Sequence, residues 1–409
     1  MLVPFLAILA MGTAQTTLDP TLLVGIFGTP PTPSRPVGAP VRIEDITVRP
    51  TESGAVFTNH EGQECQCVPY YLCDSDLNLI HDTNTSITGW GELDIRFGIN
   101  DDCQESVERC CKNNKPDLPL EPVTESVPIP QPQPPELKGC GYRNRKGLDF
   151  TVVGGNGNEA QFGEFPWVVA LLDAKNLSYA GVGVLIHPQV VMTGAHIAYK
   201  YPPGTLIARA GEWDTQTNKE RLKAQERIVQ DSVVRGDFHS KSLRNDLALL
   251  RLQEPVILAE HINVLCLPDQ NEDFDSYKQC VANGWGKDTF GLAGRYAVIL
   301  KKIEVDMVPH QRCGNQLRRT RLGPKFRLHE SFVCAGGEEG KDTCQGDGGA
   351  PLACPIGGDR YKLTGLVAWG IGCGEKNVPA VYARVSMFRS WVDDVMTAWG
   401  FSTDGYTAN

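Results

Sequence analysis

The stretch Cys344-Gln345-Gly346-Asp347-Gly348-Gly349-Ala350-Pro351 decides the reading of this chain. It is a glycine-rich turn between a cysteine and a proline, and no hydroxyl stands between Gly346 and Gly349. Around it the sequence runs in short β-type segments punctuated by Gly, Pro and Asn: Trp167 to Leu172, Gly183 to Thr193, Leu247 to Leu252, Cys280 to Trp285 and Leu363 to Trp369. Runs of that length and spacing predict an all-β barrel or sandwich from Cys140 onward. Only the end departs from this pattern. There Phe388, Trp391, Val392, Val395 and Trp399 recur at spacings of three and four, which places them on one face of a helix with Ser386 as its cap.

Composition narrows the class. The 409 residues, 41% hydrophobic and 22% charged, suffice for two or three folded units and exclude collagen and wholesale disorder. Lys plus Arg number 39 against 49 Asp plus Glu, a net charge of -10, so no basic excess is available to neutralise a phosphate backbone. Nucleic acid is excluded as the expected partner. Met1 to Met11 is apolar and leads into Gly12-Thr13-Ala14, which reads as a signal peptide over 1–14 although no Lys or Arg precedes Arg35. The run is too short for a bilayer, which needs about 20 residues, and no later segment is long and apolar enough to span one. With the sequons at Asn84 and Asn176 as glycosylation candidates, the chain is expected to be a secreted, extracellular glycoprotein.

Fourteen cysteines, an even count, fit an oxidising compartment and divide the chain. Six lie between Cys65 and Cys111 and eight from Cys140 onward; between the groups, Pro116 to Pro135 holds eight prolines and can pack no core. The expected organisation is a signal peptide (1–14), a flexible N-terminal arm (15–60), a small disulfide-rich unit (61–112), a Pro-rich linker (113–139), the large β unit (140–400) and a tail (401–409). A unit of some 50 residues buries too little apolar surface to be comfortably stable alone, and three disulfides would supply the constraint. Six cysteines allow fifteen pairings.

Six motifs give the large unit a family resemblance. Val152-Val153-Gly154-Gly155, Phe165-Pro166-Trp167, Met192-Thr193-Gly194-Ala195-His196, Asn245-Asp246-Leu247-Ala248-Leu249-Leu250, Asn283-Gly284-Trp285-Gly286 and the octapeptide at Cys344 stand in the order and spacing of the chymotrypsin-like serine proteases. The unit before it, ending in Cys110-Cys111, resembles the clip domain found ahead of such domains in arthropods. Together they resemble the clip-domain serine protease homologues. The resemblance implies a chymotrypsin-like double β-barrel with a C-terminal helix, preceded by a clip domain. It also implies the disulfides Cys65–Cys110, Cys67–Cys103, Cys73–Cys111, Cys140–Cys266, Cys280–Cys354, Cys313–Cys334 and Cys344–Cys373.

The catalytic positions are where this chain departs from the family. A serine nucleophile needs a histidine to take its proton and a carboxylate to orient the imidazole. His196 and Asp246 match those two roles, but Gly348 stands where the serine belongs, and loss of that hydroxyl costs on the order of a million-fold in turnover. In active relatives a cut frees an amine that pairs with the Asp beside the nucleophile and orders the oxyanion hole. Val152 and Asp347 would be that pair, with Gly346 and Gly348 as the backbone donors, yet Asp149-Phe150-Thr151 offers no basic residue to a trypsin-like activator. Asp347 is therefore expected to lack its cation. Ile197 and Gly181 replace a family disulfide beside the histidine. Asp342 matches the floor of a pocket for Arg or Lys and reads equally as a solvated loop residue, while Ala368 and Ala380 replace a serine and a pocket glycine near Gly370.

His196 and Asp246 also read as a purely structural hydrogen-bonded pair. Glu212, Asp214 and Glu220 lie in a loop that binds calcium in some family members; a solvated surface is the plainer reading, and no other cofactor is expected. For processing, Arg96-Phe97 resembles a clip cleavage site, with Arg143, Arg145 and Lys146 as the competing one. The resemblance implies a non-catalytic cofactor or regulator in an extracellular proteolytic cascade of innate immunity, such as melanisation, with protein partners such as a clip-domain protease or prophenoloxidase. A microbial surface, the extracellular matrix and oligomer formation are also compatible with it. Cell adhesion or matrix binding is the alternative, and a weak serine endopeptidase the remaining one.

Overall fold

The computed structural model describes residues 56–58, 62, 64–73, 78–79, 92–94, 103, 108–112, 139–153, 157–287, 296–340, 343 and 346–408. The stretches read as signal peptide and linker lie outside them, Gly139 apart. In the small unit the strands are β1 (Val56–Thr58), β2 (Glu64–Pro69), β3 (Glu92–Asp94) and β4 (Glu108–Cys111). β1, β2 and β4 form a three-stranded antiparallel sheet in which Cys67 lies opposite Cys110. Three disulfides, Cys65–Cys110, Cys67–Cys103 and Cys73–Cys111, hold it together. Pairing of β1 with β2 starts the sheet at Val56, within the stretch read as the end of the arm.

The large unit begins with β5 (Thr151–Val153) and continues through β6 (Val168–Asp173), β7 (Tyr179–His187), β8 (Val190–Thr193), β9 (Leu206–Ala210), β10 (Gln225–Val234) and β11 (Ala248–Leu252). β6 to β11 close an antiparallel barrel in the order β10-β11-β8-β7-β6-β9. Closure leaves no free edge; β6, β7, β8 and β11 are buried along most of their length and read as apolar runs, whereas β9 alternates and β10 is mostly polar and partly exposed. The next strands are β12 (Cys280–Gly284), β13 (Lys301–Val305), β14 (Met307–Val308), β15 (Phe332–Ala335), β16 (Pro351–Gly357), β17 (Arg360–Trp369) and β18 (Ala380–Arg384). They form a seven-stranded antiparallel sheet in the order β13-β12-β16-β17-β18-β15-β14. The two β units and C-terminal helix are the expected architecture.

Among the described residues three α-helices punctuate the strands: α1 (Ala195–Ala198), α2 (His310–Leu317) and α3 (Arg389–Ala398). Val392 and Met396 of α3 are buried and Trp391, Val395 and Trp399 pack beside them. Ser386 does not cap this helix. It lies in a 3-10 turn, Val385–Phe388, where its hydroxyl accepts from Arg384 Nε at 3.4 Å, and Phe388 precedes α3 with no side-chain cap. The tail is not loose either: Tyr406 is fully buried and donates to Asp393 Oδ1 at 2.7 Å.

The small unit is held against the barrel by a buried carboxylate. Tyr70, just after β2, donates its hydroxyl to Asp149 Oδ2 at 2.6 Å, and Arg221 Nη2 reaches Asp149 Oδ1 at the same distance. The Tyr70 ring meets Phe150 edge-on, with centroids 4.6 Å apart, and Phe150 packs in turn on Phe162 and Trp213. Burial, then the Asp149 charge, push the Tyr70 phenol well above its usual range, so it remains a donor. Lys219 Nζ to Glu108 Oε1 at 2.7 Å and a parallel pairing of β3 with β5 complete the dock. Asp149→Ala removes the acceptor shared by Tyr70 and Arg221. It is expected to cost about 1 to 3 kcal/mol, read as a lower midpoint in thermal unfolding and faster amide exchange at Tyr70 to Leu72.

Candidate functional site

β8 and β11 are neighbours, with Ala248 opposite Thr193, and this register sets the loops at their ends side by side. α1 follows β8 and carries His196; Asp246 lies two residues before β11. His196 Nδ1 is 2.6 Å from Asp246 Oδ2, and the His196 backbone N–H donates to Asp246 Oδ1 at 2.8 Å. The carboxylate is buried, and the ring keeps 18% exposure. An orienting acid and an imidazole are therefore assembled.

The third position holds no reactive group. The Gly348 carbonyl accepts the Val182 N–H at 3.0 Å, which brings the turn against the barrel. A Cβ at Gly348 would stand 2.7 Å from His196 Nε2, closer than any ordinary contact. The imidazole occupies space that a serine side chain would need. Next to it, a Cβ at Gly181 would collide with Ile197 Cδ1, so the two positions that replace a family disulfide are filled by one isoleucine against a glycine.

Asp347 departs from expectation. It is buried, accepts the Gly286 N–H at 2.7 Å, and has Lys301 Nζ 3.7 Å from its Oδ2. The cation is supplied within the chain. β13 pairs with β12 so that Lys301 lies opposite Gly284, and side chains at Gly284 or Gly286 would run into the Asp347 carboxylate. Lys301 Nζ also donates to the Lys287 carbonyl at 3.1 Å. Val152 is engaged elsewhere: its N–H donates to Gln161 Oε1 at 2.5 Å, its carbonyl accepts from Gln161 Nε2 at 3.2 Å, and β5 is paired with β3. Residues Val152 and Asp347 are thus not brought together. The Gly346 carbonyl accepts the Tyr179 hydroxyl at 3.0 Å, and Tyr296 packs on Gly346 so closely that a Cβ there would lie 2.6 Å from its ring.

Of the pocket positions, Ala368 and Ala380 are buried and Gly370 lies directly after β17; Asp342 is outside the described residues. Six of the seven implied disulfides are described, Cys140–Cys266, Cys280–Cys354 and Cys313–Cys334 being those of the large unit. Cys373 is also disulfide-bonded, while Cys344 is outside the described residues. Asn84 and Arg96 lie outside them too. Asn176 is exposed in the turn between β6 and β7. Arg143 is buried, with Nη2 2.6 Å from Glu164 Oε1, so of the competing processing residues only Arg145 and Lys146 are exposed.

Glu212, Asp214 and Glu220 are buried, against the expectation of a solvated loop. Among the described residues no group of three or more His, Cys, Asp or Glu side chains converges as metal ligands. Glu212 is turned to Arg209 Nη1 at 3.0 Å and to the Trp213 N–H, also at 3.0 Å. Glu220 Oε1 has no hydrogen-bond partner, and burial, then the charges of Glu212 and Asp214, push its carboxyl up to about 8. The loop's evident role lies with Lys219 and Arg221, which hold the small unit. Neither these two nor Tyr70, Asp149 and Lys301 stood out in the sequence, because each acts through a partner remote along the chain.

Comparison with known proteins follows the same division. The Trypsin family model matches residues 155–392, and the Serine protease Clip domain PPAF-2 model matches 55–112. Phenoloxidase-activating factor 2 of Galleria mellonella is 48% identical over 302 residues, 71% of this chain and 98% of that protein. Inactive CLIP domain-containing serine protease A8 of Anopheles gambiae is 39% identical over 344 residues, covering 81% and 90%. The A28 protein of the same name and organism is 36% identical over 344 residues, covering 80% and 88%.

Two outcomes test this geometry. Gly348→Ser forces the His196 ring aside, so the variant is expected to melt lower than the parent, by about 1 kcal/mol of stability, and to show no amidase activity on a chromogenic arginyl substrate. Glu220 binds its proton more tightly in the folded chain than in the unfolded one. Its contribution to stability is complete below about pH 4.5 and lost as pH rises through about 8. Glu220→Gln is therefore expected to melt higher than the parent at alkaline pH in chelator-containing buffer, the gap closing towards pH 5, as differential scanning calorimetry would record.

Proposed function

Because the chain belongs to the trypsin family and carries a clip domain, we propose that it is a secreted, non-catalytic cofactor of an extracellular proteolytic cascade. It would bind protein partners with a protease-shaped surface instead of cutting them. Gly348 carries this reading. An acyl-enzyme requires a nucleophilic side chain, and glycine supplies none beside an imidazole that leans into the vacant place. The names of the similar proteins, one a phenoloxidase-activating factor and two inactive clip-domain proteases, support a partner such as a clip-domain protease or prophenoloxidase.

The internal cation on Asp347 fits a chain that does not need a cut before Val152 to order its turn. Regulation then falls to another bond, for which Arg96-Phe97 is the candidate. It follows shortly after β3, the strand that pairs with β5. A cut there would loosen the small unit's hold on the segment around Val152.

The test is reconstitution. Added to prophenoloxidase and its activating protease, the chain is expected to raise oxidase activity above that of the protease alone, while a fluorophosphonate probe leaves it unlabelled. Stoichiometric labelling with saturable ester hydrolysis would establish an enzyme instead. No rise in oxidase activity, with retention on extracellular matrix, would favour the adhesion reading.

A further inference from the structure

One face of this acidic molecule is strongly basic. Between Pro309 and His329 the chain has six Arg or Lys residues and no Asp or Glu, although its net charge is -10. Arg312, Arg318, Arg319, Arg321, Lys325 and Arg327 are exposed, and so is Lys376 from the loop before β18. None of the seven forms an ion pair with a carboxylate among the described residues. The nearest acids along the chain are Asp306, Glu330 and Glu375, and Asp275 Oδ2 accepts the His310 N–H at 3.3 Å at the start of α2.

Five of these cations line two adjoining grooves. One, of about 810 Å3, is lined by Arg312, Arg319 and Lys376; the other, of about 390 Å3, by Arg318 and Arg327. Gln311 and Asn315, one turn apart on α2, line both, so the helix forms a ridge with basic walls on either side. The ridge is rigidly mounted. Cys313 is bonded to Cys334 of β15, and Leu317 is fully buried beneath it.

The chemistry of the surface selects its ligand. A protein interface of any strength is centred on buried aromatic or aliphatic anchors. The exposed large apolar side chains of the described residues, Tyr199, Ile257 and Tyr296 among them, all lie elsewhere. Between the cations lie the amides and hydroxyl of Gln316, Thr320 and Asn377, with Pro309 and Val378 in the first groove and Leu328 in the second as the apolar lining. Guanidinium forks match oxoanions in two parallel hydrogen bonds, and amides match sugar hydroxyls. We propose that the two grooves beside α2 bind an anionic polysaccharide, its charged groups held by Arg312, Arg319 and Lys376 on one side of the ridge and Arg318 and Arg327 on the other. This goes beyond the cofactor reading and does not rest on it.

Heparin is the probe, and binding of the full-length chain is followed by fluorescence anisotropy over a range of salt. The parent is expected to bind with an affinity that falls steeply with salt, while Arg312→Glu/Arg319→Glu/Lys376→Glu and Arg318→Glu/Arg327→Glu each lose at least about tenfold. A control, Lys175→Glu/Lys200→Glu/Lys241→Glu, changes exposed residues elsewhere by the same charge as the first variant and is expected to lose less than about threefold. Unchanged melting temperatures show that the variants fold. Absence of heparin binding by the parent, or an equal loss in the control, overturns the proposal. So does displacement of heparin by poly-glutamate at matched charge, which would assign the face to an acidic protein.

Discussion

A carboxylate with 2% exposure needs a counter-charge, and Asp347 is the one on which this molecule turns. In the protease family such a group waits for an amine released by cutting. Here Lys301 stands 3.7 Å away on a strand whose register is fixed by five pairings with β12. The Gly286 N–H takes the other oxygen, and glycines at 284 and 286 leave room for it. Since a folded strand supplies the charge, the turn from Gly346 to Gly349 can be held without cleavage. Val152 is free for another use, and it lies in β5, paired with β3 of the small unit.

The residues around Gly348 are mutually fitted. No side chain stands at 348, and the His196 ring lies where one would begin while remaining hydrogen-bonded to Asp246. Ile197 Cδ1 lies where a Cβ at 181 would stand, and only a glycine there admits it. In a close-packed interior such changes are felt by every neighbour. Restoring a serine is therefore not the removal of one defect, because the pocket around it has been repacked.

What could be read along the chain was local. The β runs, the apolar face of α3 and the missing hydroxyl at Gly348 are patterns of neighbouring residues or a motif met in one place. The cysteine pairs were available only through the family resemblance, since spacing alone leaves fifteen pairings for the small unit. Lys301 was missed because nothing near it in sequence marks it; only the β12–β13 register sets it beside Asp347. Ser386 was misread as a cap because a 3-10 turn, invisible in the periodicity, intervenes before α3. Glu212, Asp214 and Glu220 looked solvated because three acids in one loop usually are. Their burial goes with partners in the large unit, Arg209 and the Trp213 N–H for Glu212 and a bridge to Ile299 for Asp214, which no local pattern announces.

That dock links the ends of the argument. Asp149 and Phe150 carry the Tyr70 contact, and Thr151 to Val153 form the strand that meets β3. An active relative would be cut within this same segment. Here the segment is short of a basic residue and occupied as an interface, two features that reinforce each other: an interface strand is a poor protease substrate, because cleavage requires the chain to leave its hydrogen-bonded partner and extend into another active site. A trypsin-like framework that keeps its Asp347 cation indoors can give this segment to its clip domain. The clip is thereby joined to the part of the fold that cleavage would otherwise control.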